Sequence, residues 1–106
     1  MTTAYLNAKV DLTTTNATTV VTCPEFKTLV VKSILVSEDT GSADTLTATL
    51  TNGVSVFSLF KVKAVAANTT VELLVNPLVI QPGEILKVTA ATANRLHVVV
   101  SYMEVG

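Results

Sequence analysis

Short alternations of apolar and hydroxyl-bearing residues run through most of this chain. The segment 44–51 is the clearest case, because Leu46, Ala48 and Leu50 alternate with threonines. A period of two places the apolar side chains on one face of a β-strand and the hydroxyls on the other. The pattern therefore predicts a half-buried strand at residues 44–51.

Eight further segments have a β-type pattern and are separated by turn-forming residues. With residues 44–51, the predicted strands are 4–12, 18–23, 26–37, 54–65, 69–75, 78–80, 85–90 and 95–105. The middle of the third, residues 29–36, is apolar on both faces, which is typical of a central strand. About nine short strands with no helical repeat predict an all-β fold, an antiparallel β-sandwich of jelly-roll or immunoglobulin-like type. The strand order stays open.

Three connections have a specific prediction. Asn52-Gly53 predicts a type I′ hairpin between residues 44–51 and 54–65. The sequence Gln-Pro-Gly-Glu at residues 81–84 predicts a type II turn. Residues 85–90 and 95–105 are expected to form a final hairpin around residues 91–94.

The length and composition indicate one domain with an unusually neutral surface. The chain has 106 residues, of which 49% are hydrophobic and 14% charged, against about 25% charged in an average soluble domain. We predict a single sandwich at residues 1–106, in which residues 1–23 either form core strands or an arm on a neighbouring subunit. A surface rich in Thr, Ser and Asn suits burial against other subunits, although a monomer with a hydroxyl-coated sheet is the alternative.

The charge pattern and the apolar runs exclude two classes of partner. The formal net charge is −1, and the basic residues are scattered between Lys9 and Arg95. Nucleic-acid binding needs a basic stripe, so we expect none. Residues 1–106 contain neither an apolar run of membrane-spanning length nor a signal-peptide pattern, so we expect a soluble protein made in the cytoplasm and no membrane partner.

No group of residues has the pattern of a catalytic, cofactor-binding or metal site. Glu38, Asp39 and Asp44 surround a glycine-containing loop, but their spacing favours a solvated loop over a Ca²⁺ site. The single cysteine, Cys23, is expected to be a small buried hydrophobic residue. His97 has no further ligands at metal-binding spacing. We therefore expect no enzyme activity, no catalytic residue, no metal and no cofactor.

Four side chains are candidates for contact with a partner. Lys61 and Lys63 alternate along a predicted strand, where they either protect a sheet edge from foreign strands or contact an acidic patch. His97 lies beside Arg95 and is expected to face solvent or a subunit contact. The three phenylalanines are expected in the core, and their burial would leave few aromatic rings for stacking on sugars.

The second half of the chain resembles the small β-rich virion structural proteins of tailed bacteriophages. The resemblance covers residues 29–105. It rests on a strand ending in Pro-Leu-Val, a Pro-Gly-Glu turn leading into Ile-Leu-Lys-Val, and a closing Val-Val-Ser-Tyr strand. The segment from Val31 to Val36, followed by a Gly-Ser loop and the Thr-alternating strand, adds to it.

The resemblance implies a capsid cement (decoration) protein that binds between major capsid subunits and stabilises the head. Proteins of this kind are commonly trimers, so it also implies a homotrimer located in the virion after assembly in the host cytoplasm. The alternative is a tail, neck or fibre accessory module for adhesion or receptor binding, with tail or neck proteins as partners. An unrelated β-sandwich binding domain or enzyme fragment is the third hypothesis.

Overall fold

A computed structural model describes residues 2–106, and within this range it contains nine strands and no helix. The predicted all-β sandwich is thereby confirmed. The strands are β1 (Thr3–Asp11), β2 (Thr18–Thr22), β3 (Thr28–Glu38), β4 (Asp44–Thr51), β5 (Val56–Val65), β6 (Thr70–Glu72), β7 (Leu78–Ile80), β8 (Ile85–Ala90) and β9 (Leu96–Val105). The bounds of β4, β7 and β8 equal the predicted ones, whereas β6 is much shorter than predicted. No helix that could span a membrane occurs in the described range.

The strands form two antiparallel sheets whose order is that of a jelly roll. The first sheet has the order β1-β9-β3-β6, with β7 also paired to β3, and the second has the order β2-β8-β4-β5. Pairing is nested, since β1 pairs with β9, β2 with β8, β3 with β6 and β7, and β4 with β5. An immunoglobulin-like sandwich has a different order. The topology therefore decides between the two predicted types.

The predicted hairpin between β8 and β9 is wrong, because these strands lie in different sheets. Residues 91–95 cross from one sheet to the other and bond to neighbouring elements on the way. The N–H of Ala91 donates to the carbonyl of Thr45 at 3.1 Å, and that of Asn94 donates to Leu12 at 2.8 Å. These long-range bonds hold the crossing in place of a tight turn.

The alternating apolar positions of both sheets form one core. Ile34, Val36 and Val98 of the first sheet and Leu46 and Leu86 of the second are fully or almost fully buried. Cys23 is also buried, as expected, and its burial raises the pKa of the thiol. In β4 the residues Thr45, Thr47 and Thr49 are more exposed than Leu46 and Ala48 between them, so the period-two pattern separates core from surface, whereas Thr51 at the end of the strand is buried.

Of the two predicted turn types, one is confirmed and the other is wrong. Gly83 has φ +82° and the N–H of Glu84 donates to the carbonyl of Gln81 at 3.0 Å, as in a type II turn. A hairpin joins β4 and β5, but the type I′ prediction is wrong because Gly53 has positive φ and Asn52 does not. The Asn52 side chain instead accepts hydrogen bonds from the N–H groups of Val54 and Ser55 at 3.0 and 2.8 Å, which closes a wider loop.

The segment 1–23 contributes a strand to each sheet. β1 pairs with β9 over its whole length and β2 pairs with β8. Contact of this segment with a neighbouring subunit stays a prediction.

Candidate interaction surface

One end of the sandwich brings together three loops. The row Thr22, Ile85, Thr51 and Val56 runs across the second sheet from β2 to β5. Beyond this row lie the connections 23–27, 52–55 and 81–84, and Thr2 and Gly106 exchange backbone hydrogen bonds of 3.0 and 2.9 Å at the same end of the first sheet. Since strands are spaced by about 4.8 Å, the β2–β3 and β4–β5 connections start about 10 Å apart.

Phe26 is an exposed aromatic side chain on a strained backbone. Its side chain is 92% exposed and its φ is +66°. It takes the third position of a turn closed by a 3.3 Å hydrogen bond from the Lys27 N–H to the Pro24 carbonyl, a position that favours glycine. A left-handed conformation costs a residue with a Cβ about 1–2 kcal/mol. Strain of this kind, on a side chain that contributes nothing to the core, points to a function.

Three more apolar side chains are exposed at the same end, on the β4–β5 connection and the first residues of β5. They are Val54, Val56 and Phe57, and together with Phe26 they are called the apolar tip below. The expectation that all three phenylalanines are buried is therefore wrong for Phe26 and Phe57, whereas Phe60 packs against the core. In the sequence, the short Pro-Glu-Phe-Lys segment between two strands could have indicated that Phe26 is exposed.

Lys61 and Lys63 lie on β5, the irregular edge strand of the second sheet. The register of β5 against β4 shifts twice, and each shift adds a residue to β5. Between the lysines, Val62 has φ +54°, and its N–H donates to the Thr47 hydroxyl at 3.1 Å. Bulges and exposed lysines are two devices that keep edge strands from pairing with foreign strands. The geometry favours this protective interpretation.

Arg95 and His97 lie in the other sheet, at the start of β9. Arg95 donates from Nη1 to the carbonyl of Ala43 at 3.0 Å. His97 is half-exposed, with Nε2 3.3 Å from Asp11 Oδ1 and Nδ1 3.8 Å from Asp39 Oδ2. The four predicted contact residues therefore form two separate pairs, and a contact role for either pair stays a prediction.

The two carboxylates beside His97 do not converge on one point with it. Each imidazole nitrogen faces a different aspartate, so the three groups form a bridge between β1, β9 and the β3–β4 loop. Within residues 2–106 no group of three or more His, Cys, Asp or Glu residues is placed to hold a metal ion. The arrangement can hold the β3–β4 loop against the sheet, but only weakly, because exposed ion pairs contribute little to stability.

Glu38 is a buried carboxylate that holds two loops. Its side chain is 1% exposed and accepts backbone N–H bonds from Thr40 (2.8 Å), Gly41 (3.1 Å), Ser42 (3.2 Å) and Asn68 (3.0 Å). The Thr40 hydroxyl also donates to it. This hydroxyl bond first, and then the backbone bonds, lower the pKa of Glu38 from 4.5 to about 2. A carboxylate surrounded by donors does not face a cation, and Glu38 is packed inside the loop that was expected to be solvated.

The comparisons with known proteins give a small number of structural neighbours. No family model and no curated protein matches the chain. Two crystal structures of a pentameric capsid protein isolated from metagenomic phage sequences are similar to it, each with 21% identity, a TM-score of 0.46 and 95% of this chain covered. This chain spans 60% of the length of one and 59% of the other. These matches assign no role to any residue of this chain.

Proposed function

We propose that this chain is a structural protein of a bacteriophage virion, a cement (decoration) protein that binds the head between major capsid subunits. The observation that carries the proposal is the apolar tip, where Phe26 is 92% exposed on a backbone of φ +66°. Unfavourable exposure and unfavourable backbone geometry coincide in one residue. A contact that buries the ring offsets both.

The tip has the chemistry of a protein-binding anchor. Aromatic side chains that enter a pocket of the partner commonly dominate the energy of an interface. With a net charge of −1 the chain has little long-range attraction for any partner. Apolar contact at short range is therefore the interaction that its surface supports best.

The resemblance to small phage virion proteins directs the proposal to the particle, and the fold is compatible with it. Jelly rolls recur in viral capsid proteins, but they also occur in lectins and cupins, so this is an argument by analogy. Cement function would repeat the contact of the tip by symmetry, which gives avidity beyond the affinity of a single tip. We propose a homo-oligomer for this reason; the trimer implied by the resemblance stays a prediction.

A tail, neck or fibre module is the second candidate, and the shape of the molecule is the observation in its favour. The sandwich measures 44 × 28 × 22 Å, and the apolar tip lies at one end of its strands. A module that docks end-on to a tail or neck protein would have the same features. The location of binding on the particle separates the two candidates.

The test measures binding of the purified chain to isolated heads and isolated tails of the source phage from which the endogenous protein has been removed. We expect Phe26→Ser to weaken co-sedimentation with heads at least tenfold, since loss of an anchor commonly costs about 2 kcal/mol or more. Val75→Ser is the matched control, because Val75 is 96% exposed in the β6–β7 connection and outside the tip.

Two results would contradict the cement proposal. Binding to tails alone would replace it with the accessory module. Equal binding of the Phe26 and Val75 variants to heads would show that the tip is not the contact surface.

A further inference from the structure

The jelly roll leaves four sheet edges, and three of them are irregular or short. The edges are β1 and the β6/β7 pair in the first sheet, and β2 and β5 in the second. β6 and β7 have three residues each, β2 has five with a register shift, and β5 has two shifts. Each of these features opposes pairing with another chain. They do not occur in β1.

β1 is a long and regular edge strand. Its nine residues pair one to one with β9, without a shift in register. Two of its apolar side chains are exposed, Tyr5 at 81% and Leu6 at 42%. A regular strand with an exposed backbone edge is a template for a further strand.

The hydrogen bonds at the two ends of β1 show which backbone groups point to the open side. Thr2 and Gly106 exchange two hydrogen bonds, and the N–H of Leu12 donates to Leu96 at 3.0 Å. Bonded and non-bonded pairs alternate in an antiparallel ladder, so the even-numbered residues of β1 bond to β9. The odd-numbered residues direct N–H and C=O outward, namely Thr3, Tyr5, Asn7, Lys9 and Asp11. Within residues 2–106, one backbone bond outside the ladder reaches these groups, from the Thr13 N–H to the Asp11 carbonyl.

We propose that β1 pairs antiparallel with β1 of a second copy of this chain, about a twofold axis at Asn7. Tyr5 of each copy then faces Lys9 of the other, and Thr3 faces Asp11. Every hydrogen-bonded pair in this register joins two odd-numbered residues, so the outward backbone groups of both strands meet and form about eight hydrogen bonds. The two first sheets become one continuous sheet.

The side chains of β1 are self-complementary in this register. Lys9 lies across from the exposed ring of Tyr5, where an ammonium and an aromatic face attract each other, and no like charges are opposed. The half-exposed Leu6 is covered by Ala8 of the other copy. With the axis at Lys9 instead, the two ammonium groups would face each other, which is destabilising, and the overlap would be shorter. The Asn7 axis uses the whole strand.

The β1 contact does not depend on the capsid proposal, and it predicts the number of copies in the assembly. A twofold contact gives an even number of copies, a dimer if it acts alone and a pair of trimers if a threefold contact also exists. An assembly with an odd number of copies would overturn the inference.

Asn7→Cys tests the register directly. Facing residues of a bonded pair have Cα atoms about 5.5 Å apart, which is within the range of a disulfide. Mild oxidation should convert this variant to a covalent dimer of twice 11.1 kDa. The unsubstituted chain is one control, because its Cys23 is buried. Ser58→Cys, on the exposed part of β5, is the matched control variant. Neither should cross-link to a comparable extent.

Asn7→Pro provides the second measurement. The Asn7 N–H points away from β9, so a proline removes an intermolecular donor and leaves the internal ladder intact. Sedimentation should show the unsubstituted chain as an even-numbered assembly and this variant as half that size, and circular dichroism should show that the variant keeps its β-sheet content. A monomeric unsubstituted chain, or equal cross-linking of Asn7→Cys and Ser58→Cys, would overturn the proposal. If Asn7→Pro does not fold, the cross-linking comparison decides.

Discussion

Two side chains at opposite ends of the sandwich have opposite effects on stability. At one end Glu38 accepts backbone hydrogen bonds from its own loop and from Asn68, which lies 30 residues further along the sequence. At the other end Phe26 protrudes from a turn that would suit glycine better. Glu38 contributes to stability through these hydrogen bonds, whereas the left-handed backbone of Phe26 lowers stability.

Glu38 is expected to make stability dependent on pH. Its pKa in the folded protein is lowered to about 2, below the value in the unfolded chain, so the unfolded chain binds the proton first. The resulting stabilisation is fully present above about pH 5 and is lost as the pH falls towards 2. Glu38→Gln should lower the free energy of unfolding at pH 7 and flatten its dependence between pH 5 and 2.

Urea unfolding at several pH values measures both effects. Glu25→Gln is the control, because Glu25 is exposed in the β2–β3 connection and should change neither quantity appreciably. A Glu38→Gln protein with unchanged stability at pH 7 would contradict the role given to this carboxylate.

Phe26→Gly is expected to stabilise the protein. Relief of left-handed strain, about 1–2 kcal/mol, exceeds the entropy cost of a glycine, about 0.5–1 kcal/mol, so the free energy of unfolding should rise by roughly 0.5–1 kcal/mol. Gly83→Ala should do the reverse, because Gly83 has φ +82°. Thermal unfolding of both variants measures this, and a destabilised Phe26→Gly protein would show that the ring supports the fold.

At the level of elements, β5 donates an irregular hydrogen bond to a side chain of its neighbour β4. The Thr47 hydroxyl on β4 accepts the N–H of Val62, whose φ is +54°. Thr47→Val should therefore cost about 1 kcal/mol, the usual loss for a hydrogen bond left unmade. Thr49→Val, two residues along the same face, should change stability by less than about 0.5 kcal/mol. Equal effects of the two variants in urea unfolding would contradict the role of Thr47.

The strands could be predicted from local pattern, whereas their partners could not. Period-two alternation located β4 and β8 to the residue, because each has one buried and one open face. The same pattern in β8 and β9 suggested a hairpin, although the two strands lie in different sheets. Alternation identifies the buried face of a strand without indicating which sheet covers it. The irregular course of β5 depends on the hydrogen bond to Thr47, and no pattern in the sequence predicts it.

For the whole molecule, the class of fold could be predicted and its interaction surface only in part. Lys61 and Lys63 were interpreted either as protection of a sheet edge or as a contact with an acidic patch, and the structure places them on a bulged edge strand. Phe26 and Phe57 were assigned to the core because large apolar residues are usually buried. Phe26 is exposed because it protrudes from the turn at 24–27, and Phe57 is exposed because it lies near the loop end of the edge strand β5.

The jelly roll separates two surfaces that the proposals assign to different partners. The apolar tip lies at one end of the strands, and the open backbone of β1 lies along one side of the first sheet. A second copy paired antiparallel along β1 places its own apolar tip at the opposite end of the pair, so Phe26 of each copy stays accessible and one tip of the pair can face a capsid. Self-association and attachment can be tested by separate variants.

The most direct test of the central claim is immunogold electron microscopy of source-phage particles with an antibody against the purified chain. We predict gold spread evenly over the heads. Label at the neck or tail alone would contradict the cement function and favour the accessory module, and particles without label would contradict a virion role altogether.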